Sequence, residues 1–328
     1  MTLPWLVADV GGTNARFGLV SRPGGRPEAV AVLNVSQHHG LADAVAAYLA
    51  DHAGGVRPGA ACLAIAGPVE DDRYRLTNAG WSGSVKELGL RRAVLLNDFE
   101  ALAFSLPHLA GDDLVPFGGP PPRARLPKAV LGPGTGLGVG GLVPAGRGWV
   151  PLPGEGGHVP VPAVTDLEME IVRALRADGL PYVDAEHLLS GTGLPRLHRG
   201  LALVHGVASS KEAAEITASE ITASEITASD DPLCVETVEV FLALLGGFAS
   251  GVALTLGARG GVYLGGGVLP RLAARIPGSA FRARFETTAP ALTDYVAAIA
   301  TCLIVAEQPA LTGAAAWLAQ LSSNVELV

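Results

Sequence analysis

The chain has 328 residues and carries 23 Lys plus Arg against 31 Asp plus Glu, a formal net charge of −8. That length accommodates two domains of ordinary size. A dispersed acidic balance argues against nucleic acid or an anionic membrane as the main partner, but not against a nucleotide held locally by backbone amides and a metal.

Hydrophobic residues make up 49 % of the chain and charged ones 16 %, enough for a large core. Cys62, Cys234 and Cys302 lie far apart and form no C-x-x-C pair. Neither a disulfide framework nor a structural zinc cluster is expected, and a reducing cytoplasm is the expected compartment. Met1 to Trp5 lacks a basic region and Asp9 interrupts the apolar stretch, so no secretory signal is readable there.

In chain order, residues 5–10 read as a buried strand, and after Gly11-Gly12-Thr13-Asn14 an apolar pattern resumes over 15–20, as in a hairpin. Apolar residues at helical intervals predict a helix over 41–53, stopped by Gly54-Gly55. Strands are expected over 60–66 and 93–96, the second ending on Asn97-Asp98. The Pro- and Gly-rich stretch 116–127 is the candidate hinge or linker. A strand over 129–131 leads into Gly132-Pro-Gly-Thr-Gly-Leu-Gly138, and strand resumes at Leu142-Val143. The tandem repeat Glu-Ile-Thr-Ala-Ser, three copies over 215–229, has a period of five, so its isoleucines walk around a helix instead of lining one face. It reads as an exposed excursion without a catalytic role. The uncharged run 240–258 contains Gly247-x-x-x-Gly251 and is long enough to span a membrane. Nothing else in the chain resembles a membrane protein, so a buried helix is expected, with Gly246, Gly247, Ser250 and Gly251 permitting close approach. A last short strand, 261–264, stops at Gly265-Gly266-Gly267. Strands that end in glycine or polar residues mark where open α/β sheets place ligands.

Five segments carry residue types suited to chemistry. In Asp9-Val-Gly-Gly-Thr-Asn-Ala-Arg16, glycines let backbone amides approach a phosphate, Thr13 adds a hydroxyl, and Asp9 can hold a metal-bound water. A tight hairpin needing φ > 0 would use the same residues. Gly134-Thr135-Gly136 offers a second phosphate loop or a simple turn. The G-x-G-x-x-G match at Gly136, Gly138 and Gly141 is rejected as a dinucleotide fingerprint, because Leu142-Val143-Pro144 follows where a helix should open. Asn97-Asp98 pairs an amide with a carboxylate that can take a hydroxyl proton, although an Asx turn or helix cap uses the same pair. Gly154-Glu155-Gly156-Gly157-His158 suits a polyol ligand, and Glu186 follows in Asp184-Ala185-Glu186-His187. A lone Glu186 could also be a solvated helix residue.

Taken in order, these segments, with Leu76-Thr-Asn-x-x-Trp81, Glu186-x-x-Leu-Ser-Gly191 and Val262-Tyr-Leu-Gly-Gly-Gly267, resemble the bacterial glucokinase family from about residue 5 to residue 318. The repeat is the visible departure, and it lies outside every motif. The resemblance implies an α/β, two-lobed sugar kinase/actin-like (ribonuclease H-like) fold with an inter-lobe cleft that takes ATP and glucose. It implies a small domain over 1–108 completed by a C-terminal helix over 306–328, and a large domain over 109–305. Asn97, Asp98, Glu155, His158 and Glu186 would hold glucose hydroxyls, with Asp98 also the general base on the 6-hydroxyl. Gly11, Gly12, Thr13 and Asn14, with Gly134, Thr135 and Gly136, would meet the phosphates. Gly265, Gly266 and Gly267 would lie under the adenosine, and Asp9 would serve Mg²⁺ through water. Arg16, following a hairpin, is equally explained by pairing with a local carboxylate. Closure of the lobes would exclude water, so that the sugar receives the phosphoryl group. ATP and Mg²⁺ are the implied cofactors and a homodimer is compatible with the sequence.

Three other readings stand beside this one. A ROK-type kinase for another hexose or an N-acetylhexosamine would carry a Cys-rich zinc motif near the sugar-site histidine, which the three cysteines cannot supply. A sugar-responsive regulator on the same fold would need an N-terminal helix-turn-helix, yet the glycine hairpin begins by residue 9. A non-catalytic sugar binder would not need both phosphate loops and Asp98.

Overall fold

The computed structural model describes residues 1–76, 79–207 and 222–323. The chain opens with strands β1 (Trp5–Val10), β2 (Asn14–Val20) and β3 (Glu28–Asn34), then helix α1 (Leu41–Asp51) and β4 (Ala60–Ile65). Three short strands follow, β5 (Val69–Glu70), β6 (Arg73–Arg75) and β7 (Ser82–Ser84), before β8 (Ala93–Asn97) and α2 (Asp98–Ser105). Next come β9 (Leu114–Gly118), β10 (Lys128–Pro133), β11 (Leu137–Ala145) and β12 (Gly148–Leu152). The remainder is mostly helical: α3 (Asp166–Ala177), α4 (Gly193–His205), α5 (Ala223–Ala228) and α6 (Pro232–Leu256), then β13 (Val262–Leu264), α7 (Leu269–Leu272), α8 (Phe281–Glu286), α9 (Thr293–Ala297), β14 (Thr301–Ile304) and α10 (Pro309–Ser322).

By contact the chain divides into two compact units, one of residues 1–113, 140–153 and 306–328, the other of 114–139 and 154–305. The first holds a five-stranded sheet of order β3-β2-β1-β4-β8. Its central strands read as continuous apolar runs because both faces are covered, and every residue of β4 is buried. Parallel pairing of β1 with β4 and of β4 with β8 brings Asp9 and Asn97 to the same carboxyl end of the sheet. Helix α10 packs along α2 so closely that a methyl on Gly313 would overlap the Ala101 carbonyl. The hairpin residues 140–152 pack with this unit because β12 lies on α2 and Trp149 exchanges two 2.9 Å hydrogen bonds with Gln320 of α10.

The second sheet has the order β12-β11-β10-β13-β14-β9. Parallel pairing of β10 with β13 sets the glycines after each strand side by side. Pro116, expected in a linker, lies in β9, which pairs antiparallel with β14 at the edge of this sheet. An edge strand tolerates the missing N–H. The stretch 137–145 is strand, so no helix opens at Gly136-Gly138-Gly141.

The uncharged run is helical as far as Leu256 in α6, which starts earlier than expected. Asp231 caps it, accepting from Leu233 and Cys234 N–H, Pro232 takes the first position, and Gly257 ends it at φ 60°. The helix is long and apolar enough to cross a membrane, but 61 % of its most apolar window is buried. Its neighbours are α8, α4 and α5. Of the four small residues, Gly246 carries the close approach, because a methyl there would overlap the Phe281 carbonyl, whereas Gly251 faces open space.

The repeat departs from expectation. Residues 215–221 lie outside the described residues, but Ala223 and Ser224 of the second copy and Glu225 to Ala228 of the third form α5, with a capping box between Thr222 and Glu225. Its Ile226 is fully buried in the core of the second unit. A single docked turn needs only one apolar contact, so a period of five does not prevent burial of one copy.

Candidate active site

The first unit presents the β1–β2 hairpin and the start of α2. Gly11 N–H donates to the Asn14 carbonyl at 2.9 Å, closing the turn. Gly11 has no left-handed φ, and a methyl there would meet nothing nearer than that carbonyl at 3.5 Å. Neither backbone strain nor packing requires glycine at position 11. Asp9 and Arg16 face each other in the ladder, with Nη1 3.4 Å from Oδ2. Burial raises the Asp9 carboxyl above its ordinary range, and Arg16 pulls the other way.

At Asn97-Asp98 the structure separates the two functions that the sequence left joined. Asn97 is the helix cap: its Oδ1 accepts from Phe99 N–H at 2.9 Å, Glu100 reaches back to the Asn97 N–H at 2.8 Å, and Nδ2 points to the Gly67 carbonyl at 3.4 Å. Asp98 is the first residue of α2 and accepts from Phe99 N–H at 3.0 Å. Burial, and next the charge of Asp9, push its carboxyl up to about 6. A carboxylate of that basicity takes a proton near neutral pH.

The second unit gathers four loops. After β10, Gly134 N–H donates to the Gly136 carbonyl at 2.8 Å, and Gly191 N–H returns to the Gly134 carbonyl at 2.7 Å. Thr192 Oγ1 donates to the Thr135 carbonyl at 3.1 Å. The next loop, 265–267, is laced to the first by Gly265 N–H on the Leu131 carbonyl at 2.9 Å and Val268 N–H on the Pro133 carbonyl at 3.1 Å. Gly266 sits at φ 84° with its α-carbon against Pro133, so no side chain fits there. The loop 154–158 leans on the start of β11: a methyl on Gly157 would overlap the Leu137 carbonyl. Main-chain bonds then tie it to the 184–186 segment, with Glu186 N–H on the Gly157 carbonyl at 2.8 Å.

Glu186 is not on a helix. Its Oε2 accepts from Leu137 N–H at 2.8 Å, and a methyl on Gly136 would overlap that same oxygen. One carboxylate thus joins the expected sugar residues to the expected phosphate loop. His158 Nε2 lies 3.9 Å from Glu155 Oε2, and its Nδ1 lies 3.3 Å from Asp184 Oδ2. The hydrogen bond to Asp184, and then the charges of Glu186, Asp184 and Glu155, raise the imidazole above its ordinary value against some desolvation. Asn97 and Asp98 with the hairpin residues belong to the first unit, and Glu155, His158, Glu186 and both later glycine loops belong to the second.

Sequence reasoning missed Asp184, Glu100 and Thr192. Glu100 was legible, since Asn97-x-x-Glu100 is a capping-box spacing. The Asp184–His158 contact spans 26 residues and has no local signature. Thr77 and Asn78, in one of the resemblance motifs, lie outside the described residues.

Comparison with known proteins places these loops in a family. The family model described as Glucokinase matches residues 6–321. A glucokinase of Aromatoleum aromaticum is 46 % identical over 319 residues, covering 96 % of this chain and 94 % of that one. A glucokinase of Saccharophagus degradans is 45 % identical, covering 97 % and 99 %. Among solved structures, a glucokinase from an Antarctic psychrotroph superposes with a TM-score of 0.86 at 32 % identity, covering 97 % of this chain and 99 % of its own. A ROK family glucokinase from Streptomyces griseus, in complex with glucose and AMPPNP, has a TM-score of 0.64 at 21 % identity over 97 % of this chain and all of its own, a likeness of fold. A nearly full-length family match, relatives above 40 % identity and the actin-like sugar-kinase fold agree with the loops described above, and the chain belongs to the glucokinase family.

Proposed function

We propose that this glucokinase phosphorylates the 6-hydroxyl of glucose with Asp98 as general base. The observation that carries the reading is the half-buried Asp98 carboxyl, held near 6 by desolvation and by Asp9, directly after the Asn97 helix cap. Above that pH it accepts the hydroxyl proton as the oxygen attacks the γ-phosphorus of ATP. Phosphoryl transfer asks for alignment and charge neutralisation, and the loops supply both. Glu155, His158, Glu186 and Asn97 hold the remaining hydroxyls. For Asn97 this falls to whatever hydrogen-bonding capacity its cap leaves.

Gly11, Gly12, Thr13 and Asn14 meet the phosphates, as do Gly134, Thr135 and Gly136, while Gly265, Gly266 and Gly267 lie under the adenosine. The narrow backbone at Gly11 and Gly134, where a methyl meets nothing nearer than 3.5 Å and 3.9 Å, leaves the cradle that such a ligand needs. The residues also fit Mg²⁺. Among the described residues no three His, Cys, Asp or Glu side chains form a metal cluster. One half-buried carboxylate, Asp9, suits a cation held through water and substrate phosphates. When bound, Mg²⁺ supplies charge neutralisation at those phosphates. Cys62, Cys234 and Cys302 are all free and buried, and a cytoplasmic enzyme working without disulfides is the reading they support. A homodimer is compatible with this reading.

A coupled assay of ADP release across glucose, mannose, fructose and N-acetylglucosamine tests the substrate. Glucose should give the highest kcat/KM. A clear preference for N-acetylglucosamine would overturn the reading in favour of an aminosugar kinase.

A further inference from the structure

We propose that Asp184 is a positioning residue that fixes the His158 ring as its Nδ1–H tautomer, leaving Nε2 as the hydrogen-bond acceptor offered to a sugar hydroxyl. The inference rests on the reading of His158 as a sugar contact and adds to it a residue, a tautomer and a pH dependence.

Asp184 is 5 % exposed, and a buried carboxylate persists only where donors compensate it. Its two oxygens are divided between two histidines. Oδ1 accepts from the His187 backbone N–H at 2.8 Å and lies 2.8 Å from His187 Nδ1. Oδ2 faces His158 Nδ1 at 3.3 Å. The backbones beneath are zipped together, since residue 184 bridges Pro160 and Ala185 N–H donates to the Val159 carbonyl at 2.8 Å. The His158 side chain is 54 % exposed, so packing does not set its orientation and a polar tether must.

A carboxylate can only accept, so the proton between Asp184 and a neutral His158 resides on Nδ1. Nε2 then carries the lone pair, on the side of Glu155. Protonation turns Nε2 into a donor and favours pairing with Glu155 in place of a hydroxyl's proton. The charged groups around the ring are Glu155, Asp184 and Glu186, with His187 across the carboxylate. Glucose affinity should therefore change as His158 titrates, and the midpoint should depend on Asp184.

Asp184→Asn separates positioning from scaffold. Its amide oxygen still accepts from the His187 N–H, but its NH₂ replaces Oδ2 and donates to His158 Nδ1, which sends the ring proton to Nε2. Heteronuclear NMR of the histidine rings in the full-length enzyme should show that tautomer change and a lower His158 midpoint. By calorimetry glucose Kd should rise about tenfold, the size of one inverted hydrogen bond, with kcat within about threefold of the parent. In a His158→Ala background the same substitution should leave glucose Kd unchanged. An unaltered tautomer and midpoint would overturn the assignment, as would an equal loss of affinity in both backgrounds. If His158→Ala alone leaves glucose Kd unchanged, the sugar-contact reading fails, and the NMR result still decides the tautomer. Should Asp184→Asn not fold, Asp184→Ser retains an oxygen for the turn and releases Nδ1, and carries the same measurements.

Discussion

Asp98 and Glu186 are carboxylates whose surroundings give them different work. Asp98 is half-buried near another acid, so its proton is held to about 6. Replacing it by Asn keeps shape and removes the proposed base. We expect kcat to fall by about a hundredfold to ten-thousandfold while glucose Kd, measured by calorimetry, weakens only modestly. Turnover within about threefold of the parent would remove Asp98 from the mechanism. Because Asn97 supplies the cap, loss of helix capping cannot account for that drop. In the parent, kcat/KM should decline as pH falls through about 6.

The same shift has a stability consequence. A carboxyl raised from 3.8 to about 6 favours the folded state fully below 3.8, and that contribution is lost as pH rises through about 6. At pH 7.5 the buried charge is a cost, so Asp98→Asn should stabilise the fold by about 1–3 kcal/mol in urea titrations. Gly136→Ala should act in the opposite sense on function. Its methyl must displace Glu186 Oε2 from Leu137 N–H, and KM for both glucose and ATP should rise about tenfold or more in steady-state assays.

At the scale of elements, the repeat illustrates how a sequence can hold spare parts. Deleting residues 220–229 joins Glu215-Ile-Thr-Ala-Ser219 to Asp230, the same junction that Glu225 to Ser229 makes in the full chain. Ile216 can then take the place of Ile226 in the core. We expect kcat and both Michaelis constants within about twofold of the parent, since the losses are the Thr222 cap, worth about 1 kcal/mol, and the exposed hydrogen bond from Arg271 to Ser224. A tenfold drop in kcat/KM with the fold intact would show that the segment reaches the substrates. In that shortened chain no spare copy remains, and Ile216→Ala should cost about 2–4 kcal/mol by denaturant unfolding. An unchanged midpoint would sink the substitution of one copy for another.

At the scale of the whole molecule, the absence of any three-residue His, Cys, Asp or Glu cluster among the described residues bears on metal dependence. Purified enzyme should contain no stoichiometric zinc by elemental analysis, and Mg²⁺ alone should restore activity after chelation. About one tightly held zinc per chain would revive the ROK reading.

The elements of the core were largely legible in the sequence: the strands read over 5–10, 60–66 and 129–131 are apolar runs between glycine or polar breaks, and local chemistry dictates such runs. Family membership was legible for the same reason, because phosphate and sugar loops need particular residue types in a particular order. What tertiary structure decided are matters of contact across sequence. It set the Asn97 side-chain amide against the Gly67 carbonyl. It turned Pro116 from a linker into an edge strand by supplying β14 as a partner. It buried Ile226 by placing α6 beside it, and it set Asp184 against His158. Each of these depends on a partner outside its own segment. Periodicity and local propensity carry no information about such pairings, because the energy resides in the contact and not in either segment alone.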